Sequence, residues 1–157
     1  MLEVVDSSDK RLQAFKNSSL SKKKRLRTTT ARSEAMGKVR KAGTGPELAV
    51  RRVLSDLGVR FTIQNQDLPG SPDLANRRRR FVVFVHGCFW HRHAGCRKTT
   101  TPTRNRVFWV QKFEANIRRD QRSVRALRRM GYRVLIVWEC DTRKGSRLAS
   151  RFATLLS

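Results

Sequence analysis

The chain has 157 residues, with 36 Lys plus Arg against 12 Asp plus Glu, a net charge of +24 and a sequence pI near 11.7. That length suits one compact domain, and 38% hydrophobic residues can build a core. No run of about 18 apolar residues is present, so no membrane-spanning helix is expected, while the charge calls for a polyanionic partner bound through counterion release.

Met1 to Asp6 lacks the basic start, apolar centre and small-residue cleavage site of a secretory signal. A cytoplasmic, reducing setting is expected, where three cysteines read as metal ligands before disulfides. Residues 1–35 are polar and carry Lys22-Lys23-Lys24-Arg25. They read as a flexible basic tail that adds non-specific DNA affinity. The folded pattern begins near Met36, which gives a domain over residues 36–157.

Thr44 and Glu47 have capping-box spacing, and Pro46 suits a first helical turn. Val50, Val53, Leu54 and Leu57 follow at i, i+3, i+4, i+7, and Gly58 is a natural stop. Strand-like segments come next at 59–63, 73–75 and 81–85. Pro69-Gly70-Ser71-Pro72 turns into the second, and Arg77 to Arg80 form a basic hairpin tip placed for phosphate. A long helix is expected from about 106 to 130. Its buried stripe is Val110, Phe113, Ile117, Val124 and Leu127, and Arg118, Arg119, Arg122, Arg125 and Arg129 lie on its outer face. Val134 to Trp138 is a continuous apolar run, expected as a strand covered on both faces. A last helix over about 146–156 turns Leu148, Phe152 and Leu155 inward. The order α-β-β-β-α-β-α describes an α/β fold, a mixed β-sheet flanked by helices.

All three histidines and two of the three cysteines fall in one stretch, Val85-His86-Gly87-Cys88-Phe89-Trp90-His91-Arg92-His93-Ala94-Gly95-Cys96. Cys140 follows the buried run. Cys88, His93, Cys96 and Cys140 are candidate ligands of a structural Cys3His zinc site pinning the loop to a strand end; three unrelated buried cysteines are the alternative. Asp73 opens one strand and His86 closes its hairpin partner. A carboxylate that binds Mg²⁺ beside imidazoles that move protons is the equipment of phosphodiester hydrolysis. Each residue has a plainer reading as well: Asp73 as a turn cap, Glu47 as half of the capping box, His86 as a satisfied core histidine. Phe89, Trp90 and Trp109 are either ordinary packing or wedges that unstack bases.

Pro69-Gly70-Ser71-Pro72-Asp73, His86-Gly87-Cys88-Phe89-Trp90-His91-Arg92-His93 with Cys96, Phe108-Trp109, and Val134 to Cys140 together closely resemble the very-short-patch repair endonucleases of bacteria. Thr44, Pro46 and Glu47 fit as well, so the likeness runs over roughly residues 35–141. It implies a fold of the type II restriction endonuclease kind with a structural zinc site. It also implies a Mg²⁺-dependent nick in duplex DNA 5′ of the thymine of a T·G mismatch. Asp73 and the Val85 carbonyl would hold Mg²⁺, and His86, His91 and Glu47 would serve catalysis. Cys88, His93, Cys96 and Cys140 would hold Zn²⁺, and Phe89, Trp90 and Trp109 would wedge into DNA. Relatives of this kind work with a cytosine methyltransferase and mismatch-repair proteins. A nucleoid-associated monomer is expected, since a one-strand nick needs no two-fold symmetry.

Two features depart from the family pattern. Val85 stands where threonine is usual, and a backbone carbonyl survives that change. The His93–Cys96 loop is one residue longer, so His91 and His93 compete for the zinc; His93 is preferred, because His91 is then left for the phosphate. The rival readings are a related nuclease with another target, a zinc-stabilised DNA-binding module without catalysis, and a ribosomal or RNA-packaging protein.

Overall fold

Helix α1 (Gly45–Asp56) starts where the capping signals place it, in a computed structural model that describes residues 42–143 and 145–156. The basic segment 1–35 lies outside the described residues. Thr44 is extended (φ −69°, ψ 157°); its hydroxyl accepts the Glu47 N–H at 3.5 Å and donates to Glu47 Oε1 at 2.9 Å. Glu47 Oε2 reaches back to the N–H of Gly43 at 2.8 Å. These bonds satisfy donors that a helix start leaves without partners. The helix buries Val50 and Leu54, while Leu57 is 42% exposed beyond its last turn. Gly58, at φ +67°, reverses the chain.

The strand expected over 59–63 does not form; only an isolated bridge joins Thr62 to Ala75. Gln64 has positive φ and Ile63 is exposed. Buried Asn65 takes over the hydrogen bonding: its amide donates to Thr62 O at 3.1 Å and Pro72 O at 3.0 Å. A side chain thus closes this loop where a ladder was expected.

Three strands remain: β1 (Leu74–Asn76), β2 (Phe81–His86) and β3 (Arg133–Trp138), in the order β1-β2-β3. β1 runs antiparallel to β2, with Leu74 opposite Val83. β3 runs parallel to β2, from Phe81 opposite Arg133 to His86 opposite Trp138. Helix α2 (Arg106–Arg129) makes the crossover that a parallel pair requires, and α3 (Gly145–Leu156) closes the chain after a 3-10 turn at Asp141–Arg143.

Alternation along β2 divides the core. Phe81 and Val83 pack with Val50 and Leu54 of α1 and Leu148 and Phe152 of α3. Val82 and Phe84 pack with Leu127, Tyr132 and Leu68 on the other side. β3 follows the same rule: Leu135 and Val137 join the first cluster, and Val134 and Ile136 the second. Both faces of β3 are therefore covered, as expected, although it is an edge strand.

The expected stripe of α2 needs correction. Phe113 and Leu127 are buried, but Val110 and Ile117 are 38% and 36% exposed. The inward face instead runs through Phe113, Asn116, Asp120, Ser123, Val124 and Leu127, so that three polar side chains lie on the side of the sheet. The end of the sheet where β2 and β3 finish collects His86, the residue after Trp138, and Asp73 just before β1. The hairpin tip Arg77–Arg80 stands at the opposite end, away from the His/Cys stretch.

Candidate active site

The sheet end opens into a cleft of about 460 Å³ lined by Glu47, Asp73, His86, His91, Asp120 and Glu139, among others. Asp73 is oriented by the β1–β2 hairpin, its Oδ2 accepting the Val85 N–H at 2.6 Å. Burial pushes the Asp73 carboxyl above its ordinary value; the Val85 N–H opposes this, and the Glu47 charge adds to it. A buried carboxyl with a second carboxylate beside it suits a cation at that place. Glu47 is only 6% exposed and is engaged by Thr44, Gly43 and, at 3.4 Å, by Arg51. It therefore caps α1 and lines the cleft at once.

His86 is 6% exposed, and its ring stacks on that of His91 with centroids 3.8 Å apart. Burial, then the neighbouring His91, lowers the His86 pKa to about 4, so His86 is neutral at pH 7. His91 Nδ1 meets Asp120 Oδ2 of α2 at 2.5 Å. A carboxylate in this position fixes the Nδ1–H tautomer and leaves Nε2 open as an acceptor. Burial alone would raise the Asp120 pKa, but the hydrogen bond from His91, the two neighbouring imidazoles and Arg119 outweigh it, and the carboxyl is held below its ordinary value. His86, His91 and Asp120 offer ligand atoms within 4.8 Å of one another. Two imidazoles with one carboxylate favour a borderline-soft ion, whereas Mg²⁺ takes oxygen and matches Asp73 and Glu47 better.

Cys88, His93, Cys96 and Cys140 gather in a second cluster, their ligand atoms also within 4.8 Å of one another. His93 Nδ1 lies 3.6 Å from Cys88 Sγ and 3.2 Å from Cys140 Sγ. Sulfurs on a zinc ion at about 2.3 Å stand about 3.8 Å apart in a tetrahedron, so three thiols and one imidazole at this spacing fit that ion. The backbone separates the two histidines: His91 bonds to Gly87 O and turns to the cleft, while His93 bonds to Cys88 O and turns to the thiols. Trp138 joins the two clusters, its face on His93 at 4.3 Å and its edge toward His86 at 5.4 Å.

Phe89, Trp90 and Trp109 form an aromatic group with Phe113; Phe89 lies 5.1 Å from Trp90, 5.5 Å from Trp109 and 5.2 Å from Phe113. Trp90 lines the cleft, and its carbonyl accepts from Asn116 Nδ2 at 3.1 Å. Arg92 lies over the Phe113 ring at 4.7 Å. The group is half-buried, so it packs on α2 and also faces outward at the rim of the cleft.

The structure thus brings Glu47, Asp73, His86 and His91 together, and the zinc candidates together beside them. Sequence reasoning missed Asp120, Asn116 and Glu139. Asp120 is one of two acids in an arginine-rich helix, and it lies seven residues after Phe113, on the inward face. Apolar residues alone defined the expected stripe, which hid that signal. Glu139 accepts from Lys98 Nζ at 2.5 Å and from the Cys88 N–H at 3.4 Å, while its own N–H donates to His86 O at 2.9 Å. It ties the cysteine loop to the end of β2.

Among the described residues no helix is long and apolar enough to cross a membrane. Residues 25–98 match the family model of the DNA mismatch endonuclease Vsr. The chain is 46% identical over 121 residues to the type II nicking enzyme V.XorIIP of Xanthomonas oryzae pv. oryzae, covering 77% of this chain and 88% of that protein. It is 37% identical over 123 residues to the DNA mismatch endonuclease Vsr of Escherichia coli K12, covering 78% of each. With the type II nicking enzyme V.NmeAIP of Neisseria meningitidis it shares 38% identity over 114 residues, 73% of this chain and 81% of that one. With catalytic-type side chains converging on one cleft and relatives that are endonucleases across most of its length, the chain belongs to the Vsr DNA mismatch endonuclease family and is a DNA endonuclease.

Proposed function

We propose that the chain nicks one strand of duplex DNA 5′ of the thymine in a T·G mismatch, with Mg²⁺ at Asp73 and the Val85 carbonyl and structural Zn²⁺ at Cys88, His93, Cys96 and Cys140. The observation that carries this reading is the convergence of Asp73, Glu47, His86 and the His91–Asp120 pair on one cleft rimmed by Trp90. The fold we assign is of the type II restriction endonuclease kind. Its support is a mixed sheet with helices on both faces and the acidic and imidazole groups at one end of it.

Bound at Asp73, Mg²⁺ supplies charge neutralisation at the scissile phosphate and acidifies water there. The protein's own groups do the rest. The Val85 N–H aims one Asp73 oxygen, leaving the other toward the cleft. Asp120 holds the His91 Nδ1–H, so Nε2 takes the proton of the attacking water. Neutral His86 stacks behind His91 and offers a hydrogen bond to phosphate without adding charge. Phe89, Trp90 and Trp109 open the base stack at the mismatch, where lost pairing makes deformation cheaper. The basic tail over residues 1–35 collects DNA for the endonuclease domain at 36–157. A nucleoid-associated monomer that works with mismatch-repair proteins and a cytosine methyltransferase completes the reading.

A second reading keeps the chemistry and changes the target. It is favoured by relatives that carry the name type II nicking enzyme. Incubation with Mg²⁺ and matched, T·G-mismatched or single-stranded DNA decides between the two. Nicks confined to the T·G duplex support the first reading, and equal cutting of matched duplex the second. Asp73→Ala should abolish nicking and leave DNA binding largely intact; wild-type rates in that variant would remove Asp73 from the mechanism.

A further inference from the structure

The catalytic groups occupy one end of the sheet, and a group of arginines, unpaired among the described residues, occupies the other. Because β2 and β3 are parallel and in register, Phe81 and Arg133 mark one pole and His86 and Trp138 the other. At about 3.3 Å per residue, β2 separates the poles by about 17 Å. The hairpin tip Arg77–Arg80 sits at the far pole, and the Arg80 carbonyl accepts the Arg133 N–H at 2.8 Å. Helix α2 also ends there, with Arg128 and Arg129 in its last turn. On the other side of the tip, a recess of about 540 Å³ runs between Gly58–Thr62 and Ala75–Arg79, with Arg60, Arg78 and Arg79 along it. Asn76 braces its two walls, donating to the Arg60 carbonyl at 2.7 Å and accepting the Arg79 N–H at 2.7 Å.

Asp67 neutralises Arg77, at 2.9 Å. Arg60, Arg78, Arg79, Arg128, Arg129 and Arg133 are exposed and have no carboxylate within salt-bridge distance among the described residues. Like charges held this close repel one another unless a polyanion accepts them. None of them lines the catalytic cleft.

We propose that this arginine pole is a second DNA-binding site, which holds the phosphate backbone of a duplex segment other than the one in the cleft. The chain would thereby bridge two segments and pass between them without full release. The proposal draws on the DNA endonuclease assignment and not on the choice of mismatch.

The test uses the full chain at low salt with two short duplexes, one labelled with a donor dye and the other with an acceptor. Energy transfer is expected, from complexes whose mass corresponds to one chain and two duplexes. Replacing Arg78, Arg79 and Arg133 together by serine should abolish the transfer. In wild type the second binding event should weaken with salt at a log–log slope to which these arginines contribute about three, about one each. Nicking of the cognate duplex and its affinity should stay within about twofold, which also shows that the variant folds. Transfer that persists in the variant overturns the proposal, and so do complexes of one chain with one duplex or of two chains with two. Parallel loss of cleft binding would overturn it too, by placing these arginines on the first duplex.

Discussion

In the proposed mechanism Asp120 acts through His91, which makes its substitution informative. Asp120→Asn keeps an acceptor for His91 Nδ1 but removes the charge that stabilises an imidazolium. The nicking rate should fall by about 10²-fold with DNA affinity nearly unchanged, as measured by single-turnover cleavage beside equilibrium binding. A stability signature accompanies this loss. The folded-state pKa of Asp120 lies below the 3.8 of the free carboxyl, so its stabilisation is complete above that value and is lost as pH falls through the lower folded value. Urea unfolding of wild type and Asp120→Asn should therefore differ most near neutral pH and converge in acid. Phe89→Ala with Trp90→Ala should reduce discrimination between mismatched and matched duplex more than total affinity. Equal losses on both duplexes would return these rings to a packing role.

Among the elements, α1 combines a structural start with a catalytic-type residue, and two substitutions separate the functions. Thr44→Ala removes the hydroxyl that accepts the Glu47 N–H and should cost about 1 kcal/mol in urea unfolding. Glu47→Gln keeps one acceptor for the Gly43 N–H while its amide donates to the Thr44 hydroxyl, and it gives up the Arg51 ion pair, so it should cost about 0.5–1 kcal/mol. A large fall in nicking by this variant would show that its carboxylate serves the reaction as well as the helix; unchanged nicking would leave it a cap. Helix α3 packs on the same face of the sheet as α1, where Phe152 is fully buried. Phe152→Ala should cost about 3–5 kcal/mol by emptying that space.

For the whole molecule, the zinc site proposed at the cysteine cluster would govern how much of the irregular segment between β2 and α2 keeps its shape. Residues 87–105 form neither helix nor strand, yet they carry Cys88, Trp90, His91, His93 and Cys96. Structural zinc contributes on the order of 10 kcal/mol in small domains, so its removal should disorder this segment and take His91 and Trp90 from the cleft. A chelator should lower the melting temperature and release about one zinc per chain. Mg²⁺ added afterwards should not restore nicking, whereas Zn²⁺ followed by Mg²⁺ should. A melting curve indifferent to chelation would remove the structural role.

Much was legible because its signals are local. Thr44, Pro46 and Glu47 mark a helix start in four residues, and the β2 and β3 runs show their apolar character directly. The crowding of His and Cys after Val85 located both clusters. Charge alone determined that the partner is a polyanion. What sequence could not decide depends on contacts between distant segments. Asn65 replaced an expected strand with a side-chain-closed loop by reaching Pro72. Asp120 found His91 across 29 residues because α2 lies on the sheet with a partly polar face inward. Hydrophobic spacing cannot announce such a face. His91 and His93 differ by two positions, and backbone bonds to Gly87 and Cys88 send one to the cleft and the other to the thiols. Parallel pairing of β2 with β3 then set the imidazole and carboxylate cleft and the arginine tip at opposite ends of one sheet. That separation follows from strand direction, which becomes defined only when the strands meet.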